Sequence, residues 1–448
     1  MTKQVTEREL VLAILMEVTQ QNVYSHRALN AVLEKYQYLE KKERAFITRV
    51  TEGTLEHMIE LDYILNQFSK VKVNKMKPVI RNILRSAVYQ LKYMDSVPDS
   101  AVCNEAVKLA VKKGFGTLRG FVNGVLRNVA RGLDQVEYPT EGIERLSVVY
   151  SMPEWILKLW KKTYDLDVIE SMLQAFQEET PVTIRCNLAK TTPENLKESL
   201  QKEGVTVTPH PYLSYAFWIQ DYDHLSELES FQKGEFYVQD ISSMLVGELA
   251  DPKKGDRVID VCAAPGGKAL HVAEKLRGTG SVEARDLSLY KVGLITENIE
   301  RSGLTNIHAV QKDATVCDAD VKDAADLVIA DLPCSGLGVL AKKTDLKYKA
   351  TEQSTKELAG LQREILKNAA SYVRPGGTLI YSTCTINPAE NIENVHWFLK
   401  EFPEFVLDPI ADRLCSTLQN SVEEAGCLQL LPGIHKSDGF FIARFGKK

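Results

Sequence analysis

The pattern of apolar and polar positions predicts helices through residues 1–135. In "KPVIRNILRSAVYQLKYM" the apolar residues recur at helical spacing after Pro78, which suits a first helical turn. Thr6 and Glu9 have the spacing of a capping box, a signature of a helix N-terminus. A further helical stretch is predicted over 41–68, "KKERAFITRVTEGTLEHMIELDYILNQF". The first 135 residues should therefore form an all-α bundle.

The pattern changes twice after this point. Residues 136–235 mix short strands with helices, as in "TPVTIRCNLAK" followed by "TPENLKESLQKEG", and predict a small α/β module. Over residues 236–448, apolar strands such as "RVIDVCA" and "ADLVIADLP" alternate with helical stretches. Regular βαβ alternation is typical of a doubly wound, mostly parallel sheet, so we expect a Rossmann-like domain here.

Composition excludes several classes of protein. No apolar run in the 448 residues approaches the roughly 18–20 residues of a membrane span, and "MTKQVTEREL" lacks the apolar core of a secretory signal. We therefore expect a cytoplasmic protein with no membrane partner. The eight cysteines include no C-x-x-C pair and no zinc-like spacing, so we expect reduced thiols and no metal.

Charge is distributed unevenly along the chain. Residues 1–140 carry 21 Lys and Arg against 15 Asp and Glu, whereas the remainder carries 34 against 45. A basic module on an acidic body indicates a nucleic-acid partner, although a merely solvated surface would give the same count. The residues predicted for the basic face are Lys70, Lys72, Lys75, Lys77, Arg81 and Arg85.

A glycine turn follows the first strand of the predicted sheet. Gly266 and Gly267 allow backbone N–H groups to approach a ligand, and an acid, Asp286, ends the next strand, where it can bind a ribose diol. Asp313 closes the third strand and is placed to meet an adenine. Because G-x-G-x-x-G is absent, S-adenosylmethionine fits better than a dinucleotide; a ligand-free turn is the alternative. The predicted binding residues are Cys262, Ala263, Ala264, Pro265, Gly266, Gly267, Lys268, Asp286, Asp313 and Asp331.

Two further strands end at cysteines, in "LVIADLPCSGLG" and "IYSTCT". Cysteine at a strand end suits covalent catalysis on cytosine, because a thiolate that adds to C6 makes C5 nucleophilic toward a methyl donor. Lys268 can lower the thiol pKa, and Asp331 can hydrogen-bond N3 of the ring. Either cysteine alone could be a packed core thiol. Sequence chemistry leaves open whether Cys334 or Cys384 is the nucleophile.

Three segments resemble the RNA cytosine-C5 methyltransferases: "VIDVCAAPGGKALHVAE", "LVIADLPCSGLG" and "GGTLIYSTCTINPAENIENV". Residues 1–135, including "FVNGVLRNVAR", resemble the antitermination factor NusB, which binds RNA. The combination resembles the bacterial Sun/RsmB family, whose members modify small-subunit (16S) ribosomal RNA. This resemblance implies a NusB-like domain over 1–135, an RNA-recognition extension over 136–235 and a methyltransferase domain over 236–448.

The resemblance also implies roles for the two cysteines. It makes Cys384 the nucleophile and gives Cys334 a part in product release, in an S-adenosylmethionine-dependent RNA (cytosine-5-)-methyltransferase that acts on ribosomal RNA. Separately, since the sequence indicates no protein partner, we expect a monomer. Two departures stand out. Thr344 occupies a region, 339–349, where relatives carry His-Pro, and Arg285 stands where they carry an apolar residue.

Two alternatives remain open. The same chemistry on transfer RNA is compatible with every motif named above. A protein that only binds RNA, with an inactive methyltransferase fold, is opposed by the intact acids and cysteines at the strand ends.

Replacing Asp286 tests the donor site. We expect Asp286→Ala to weaken S-adenosylmethionine binding about tenfold or more, because a hydrogen bond to a charged group is lost. Calorimetry on the purified protein measures this, with Asp134→Ala, an acid of the helical region, as the control. Equal affinity in both variants would show that Asp286 does not hold the donor.

Overall fold

The structure is a computed structural model, which describes residues 5–422 and 424–448. The chain divides into two compact units. The helical unit runs to Gln177 and includes Leu340–Ala350, and the sheet unit comprises Glu178–Val339 and Thr351–Lys448. The predicted domain boundaries at residues 135 and 235 remain predictions.

The helical unit is built from helices as the periodicity predicted. Its helices up to Gln177 are α1 (Glu7–Gln20), α2 (Ser25–Lys35), α3 (Lys41–Glu56), α4 (Met58–Phe68), α5 (Pro78–Tyr93), α6 (Asp99–Lys112), α7 (Arg119–Gly132), α8 (Gly142–Val149), α9 (Glu154–Trp160) and α10 (Leu166–Gln177). The capping box of Thr6 and Glu9 starts α1, and Pro78 is the first residue of α5. Apolar side chains of α1, α3, α5 and α7 form a continuous core.

Two details of this unit differ from the prediction. The stretch 41–68 is two helices rather than one, because the chain turns at His57, whose ring stacks on Tyr93 with centroids 4.3 Å apart. Arg85 does not belong to a solvated basic face: it is buried, and its guanidinium donates to both carboxylate oxygens of Asp62 at 2.6 and 2.5 Å. The four predicted lysines are exposed, namely Lys70, Lys72, Lys75 and Lys77.

The segment Leu340–Ala350 completes the helical unit from far along the chain. Asp345 is buried and accepts hydrogen bonds from the N–H (2.9 Å) and hydroxyl (2.8 Å) of Ser25, the first residue of α2. Lys347 donates to the carbonyl of Glu56, the last residue of α3, at 2.8 Å. An anion at the N-terminus of α2 matches the helix dipole, and the hydrogen bond from Lys347 satisfies a carbonyl at the end of α3, so these contacts hold the segment in place.

The sheet unit begins with a small antiparallel sheet. Its elements are β1 (Val182–Cys186), α11 (Pro193–Lys202), β2 (Thr206–Pro209), β3 (Ala216–Gln220), α12 (Glu229–Gln232) and β4 (Phe236–Val238). The strands lie in the order β2–β3–β1–β4, and all their pairings are antiparallel. Apolar residues of β1, β3 and α11 pack together beneath this sheet.

A larger, mostly parallel sheet follows. Its region contains α13 (Ile241–Ala250), β5 (Arg257–Asp260), α14 (Gly267–Lys275), β6 (Ser281–Asp286), α15 (Leu289–Ser302), β7 (Ile307–Gln311), β8 (Ala325–Asp331), α17 (Glu352–Tyr372), β9 (Val373–Thr383), α18 (Ile392–Glu401), β10 (Phe405–Leu407), α19 (Ser416–Gln419), β11 (Cys427–Leu430) and β12 (Phe440–Lys447); α16 (Leu346–Lys349) lies in the helical unit. The order is β10–β12–β9–β8–β5–β6–β7, with β11 paired to β12. The predicted fold class is confirmed.

The strand order places a switch point between β5 and β8. From β5 the chain proceeds through β6 to β7 on one side, and β8 and β9 lie on the other, all in parallel. In open α/β sheets ligands bind outside the carboxyl ends of the strands at such a point. Asp260 ends β5 and Asp331 ends β8, so both carboxylates lie at this edge. Within the described residues, no helix has the length and apolarity needed to cross a membrane.

A buried ion pair joins the small sheet to the larger one. Arg185 of β1 is fully buried and donates to Glu274 of α14 at 2.7 Å and to Gln239 at 2.7 Å. Its guanidinium also lies 4.4 Å from the ring centre of Tyr237. The buried charge of Arg185 is thus paired with Glu274 and stacked on Tyr237 at the point where the small sheet meets the larger one.

Removing one partner of this pair should destabilise the sheet unit. Glu274→Ala leaves the Arg185 charge buried without its carboxylate, and we expect a loss of about 3–5 kcal/mol in the free energy of unfolding. Urea unfolding of the full chain measures it. Glu229→Ala, which breaks an exposed pair with Lys233, is the control and should leave the transition unchanged. Similar small effects in both variants would contradict the expectation.

Candidate active site

The turn between β5 and α14 brings backbone N–H groups to the end of β6. Gly266 has φ +106°, a left-handed conformation that would strain any side chain, and α14 begins at the next residue. The N–H of Ala264 donates to Asp286 Oδ2 at 3.3 Å, and Asp286 Oδ1 lies 3.6 Å from Lys291 Nζ. The structure therefore places the predicted acid directly against the predicted turn, 262–268.

Asp260 is a buried carboxylate with unused hydrogen-bonding capacity. Its Oδ1 accepts from the N–H of Cys262 at 3.3 Å, whereas its Oδ2 has no hydrogen-bond partner among the described residues. Burial, reinforced by the nearby charge of Asp331, raises the pKa of Asp260 to about 7. An unsatisfied buried acceptor beside a glycine turn fits a ligand that brings hydroxyl or ammonium donors, as the amino acid and ribose of S-adenosylmethionine would.

Asp313 occupies a different environment from the other predicted acids. It follows β7, is exposed, and accepts hydrogen bonds from the N–H (2.8 Å) and hydroxyl (2.7 Å) of Thr315 in its own loop. These two hydrogen bonds lower the pKa of the Asp313 carboxyl. Its predicted contact with an adenine remains a prediction.

Asp331 and Lys268 form an ion pair at the end of β8. Lys268 Nζ lies 2.8 Å from Asp331 Oδ2, and the hydroxyl of Ser382 donates to Asp331 Oδ1 at 2.7 Å. Burial opposes the charge of Lys268, but attraction by Asp331, Asp260 and Cys384 raises its pKa above the usual value. Lys268 therefore stays cationic, and both oxygens of Asp331 have fixed partners.

The two cysteines lie side by side. β8 and β9 pair in parallel with Asp331 opposite Ser382, so the loops that follow them leave the same edge of the sheet. The sulfur atoms of Cys334 and Cys384 are 3.2 Å apart, within hydrogen-bonding distance. The predicted proximity of the strand ends is therefore present as a direct thiol–thiol contact.

The surroundings of this pair are electrically asymmetric. Lys268 is attracted to Cys384, whereas the carboxylate of Glu390 acts on Cys334. The hydrogen bond with Cys384 and burial raise the pKa of Cys334 well above its ordinary value, and Glu390 adds to the effect. When the pair loses one proton, these charges favour a thiolate at Cys384 and a thiol at Cys334.

The sequence reasoning missed Glu390. This residue is fully buried and accepts hydrogen bonds from the N–H (2.8 Å) and hydroxyl (2.6 Å) of Ser335, from Asn387 (2.9 Å) and from Gln362 (3.1 Å). Ser335 follows Cys334 directly, so the carboxylate fixes the loop that carries this thiol. A signal was present: a lone acid in "TINPAEN", a stretch of otherwise uncharged residues next to Cys384.

Two other positions singled out in the sequence serve the packing. Arg285 is buried and pairs with Glu283 at 2.5 Å and with Asp318 at 3.0 Å, on the strand that ends at Asp286. Thr344 lies in the segment that belongs to the helical unit. Burial also raises the pKa of Cys262 well above its usual value, so this cysteine of the turn is a neutral thiol.

Three protein families match parts of the chain. The description "16S rRNA methyltransferase RsmB/F" matches residues 248–446, the NusB family matches 5–131, and a ferredoxin-like domain of RsmF/B-like methyltransferases matches 152–222. Together with the parallel sheet, these matches identify a methyltransferase of the Rossmann-like class.

Individual relatives carry the identification further. The chain is 36% identical over 449 residues to a probable ribosomal RNA small subunit methyltransferase B of Bacillus subtilis, with 100% of both sequences covered. Among solved structures, PH0851 superposes with a TM-score of 0.82 at 25% identity over 99% of both chains. NSun6 from Pyrococcus horikoshii with SFG gives 0.58 at 25% identity, covering 66% of this chain and 98% of that one. The chain belongs to the RsmB/F family of 16S rRNA methyltransferases.

Neutralising Glu390 should move the pH profile of methyl transfer. In Glu390→Gln less negative charge faces Cys334, the thiol pair ionises more readily, and we expect the acidic limb of the rate profile to shift to lower pH. Rates over a pH series measure the shift. The exposed neighbour Glu393→Gln is the matched control and should keep the wild-type profile. If Glu390→Gln is less stable but the acidic limb of its rate profile stays at the wild-type pH, then Glu390 only supports the structure.

Proposed function

We propose that the protein transfers a methyl group from S-adenosylmethionine to C5 of a cytidine in small-subunit ribosomal RNA, through a covalent bond between Cys384 and C6. The observation that carries this proposal is the pair of thiols 3.2 Å apart beside the Lys268–Asp331 ion pair. Methyl transfer to a ring nitrogen, an exocyclic amine or a ribose hydroxyl has no use for two adjacent thiols, whereas C5 of cytosine needs a nucleophile at C6.

The residues present fit the methyl donor. The turn 262–268, Asp286, Asp313 and Asp331 would hold it, and Asp260 offers a further buried acceptor. S-adenosylmethionine supplies an electrophilic methyl group on a sulfonium sulfur. The similarity to NSun6, whose structure was solved with SFG, supports a ligand site in this chain as well.

The chain's own groups then carry the reaction. The thiolate of Cys384 forms a bond to C6, and negative charge that develops at N3 is balanced by the cation of Lys268, which Asp331 holds in place. C5 thereby becomes nucleophilic and takes the methyl group, whose bond to sulfur breaks. Loss of the C5 proton to a base restores the C5–C6 double bond and returns an electron pair to the sulfur of Cys384. We assign to Cys334 the assistance of this elimination, because it is the neighbouring thiol.

The RNA substrate is proposed from the family and from charge. A relative that matches the whole chain is named as a probable ribosomal RNA small subunit methyltransferase B. The NusB family matches the helical region, which carries the exposed lysines 70, 72, 75 and 77. Lysines on one surface supply phosphate contacts. We further propose that a monomer suffices, since both thiols, the ion pair and the turn belong to one unit of one chain.

Replacing each cysteine separately tests the assignment. Cys384→Ala should form no covalent adduct, so RNA dissociates normally from an inactive enzyme. Cys334→Ala should allow attack and methyl transfer but stall at elimination, because the step that it assists follows both. The stalled product remains bonded to Cys384 and is seen as a protein–RNA band that survives denaturing electrophoresis.

Controls separate this outcome from trivial ones. Cys103→Ala removes a buried thiol of the helical unit and should behave as the wild type apart from a modest loss of stability. If Cys384→Ala traps RNA and Cys334→Ala is inactive without trapping, the nucleophile is Cys334. If neither variant traps RNA and both remain active, the proposed chemistry is wrong.

A further inference from the structure

A cavity of about 400 Å³ lies within the helical unit. The C-terminal part of α1, the corner between α3 and α4, one face of α5 and the segment 345–349 form its walls. Its apolar side includes Val18, Leu55 and Met58, and its polar side includes Arg81, Arg85 and Lys349. A concave space of this size with an apolar wall and a few polar groups has the character of a ligand site.

Two of the three cations in the cavity already have partners. Arg85 is paired through two hydrogen bonds with Asp62. Lys349 donates to Asn22 at 3.0 Å and to the carbonyl of Val23 at 2.9 Å, and lies 3.8 Å from Asp345. Both side chains are therefore held in position by partners within the protein, and they add two positive charges to the wall beside Arg81.

Arg81 is the cation that makes no ion pair within the described residues. Its Nε is shielded from solvent and has no hydrogen-bond partner in the part of the chain that the structure describes. Burial lowers the pKa of Arg81, and repulsion by Arg85, four residues away on the same helix, lowers it further; attraction by Asp62, whose two oxygens bind Arg85, offsets only part of this. The Nε of Arg81 therefore lacks an acceptor, and the planar fork of an arginine is suited to a phosphate group.

We infer that this cavity binds a phosphate of the RNA backbone at Arg81, with the attached nucleotide against the apolar wall. The volume exceeds that of a phosphate alone, which leaves room for the nucleotide. Lys77 is exposed one helical turn before Arg81, and lysines 70, 72 and 75 are exposed just before it in the chain. A polyanionic strand can contact this series and the cavity together, whereas a free nucleotide reaches only the cavity.

The inference rests on the proposed function in one respect, that the substrate is RNA. Arg81→Ala should weaken binding of a small-subunit ribosomal RNA fragment several-fold and reduce the slope of log affinity against log salt by about 0.7, the value of one phosphate contact on a single strand. Arg81→Lys should restore part of the affinity. Arg119→Ala, an exposed arginine at the start of α7, is the control for loss of one charge and should change the affinity less.

Fluorescence anisotropy over a salt series measures these constants, and adenosine monophosphate distinguishes the two sources of phosphate. We expect the mononucleotide to bind the wild-type protein weakly and to compete poorly with RNA. Tight binding of adenosine monophosphate that Arg81→Ala abolishes, with an unchanged RNA salt slope, would make this a site for free nucleotides and overturn the inference. Equal losses of RNA affinity in Arg81→Ala and Arg119→Ala would show that Arg81 contributes only general surface charge, which would also overturn the inference.

A second measurement covers the case in which Arg81→Ala does not fold. Wild-type protein is cross-linked to RNA that contains 4-thiouridine, and peptides from α3 to α5 should carry the cross-link; absence of cross-links there contradicts the inference.

The proposed chemistry is judged separately. Arg81→Lys should still form the Cys384 adduct at saturating RNA, and a wild-type protein that forms no adduct would count against the chemistry and not against the cavity.

Discussion

The parallel pairing of β8 with β9 is the constraint on which the site depends. Asp331 and Ser382 face each other in this register, and the hydrogen bond between their side chains ties the two strand ends together. Cys334 follows Asp331 by three residues and Cys384 follows Ser382 by two, so both cysteines reach the same point. A register slip of one residue would turn these side chains to the opposite face of the sheet and separate the thiols.

The charges around the thiols lie on the two sides of this pairing. Lys268 comes from the helix after β5 and faces Cys384, and Glu390 comes from the loop after β9 and holds the chain next to Cys334. Two chemically identical groups in contact thus acquire different protonation preferences from the charges on either side of them. The same logic governs other enzymes in which paired titratable groups divide the work of acid and base.

Much of this could be predicted from sequence, because local rules determine it. Helical spacing, the capping box at Thr6 and the apolar strands of the large sheet each depend on neighbouring residues alone. Other features required distant contacts. Arg85 has the sequence signature of a surface cation, and only its contact with Asp62 shows otherwise. The ring of His57, where α3 ends and α4 begins, stacks on Tyr93, 36 residues away. Glu390 gains meaning only when Ser335, 55 residues earlier, is brought to it.

The helical unit is discontinuous in sequence, and this has a consequence for synthesis. Ser25 and Asp345 are 320 residues apart, so α2 leaves the ribosome long before the carboxylate that binds its first residue has been made. Lys347, whose pKa burial lowers to about 7, must likewise wait to reach the end of α3. Domains generally fold as units during translation, in order from the N-terminus. Here the first unit to emerge stays incomplete until residue 350 has been made, after β8 of the sheet unit has already been synthesised.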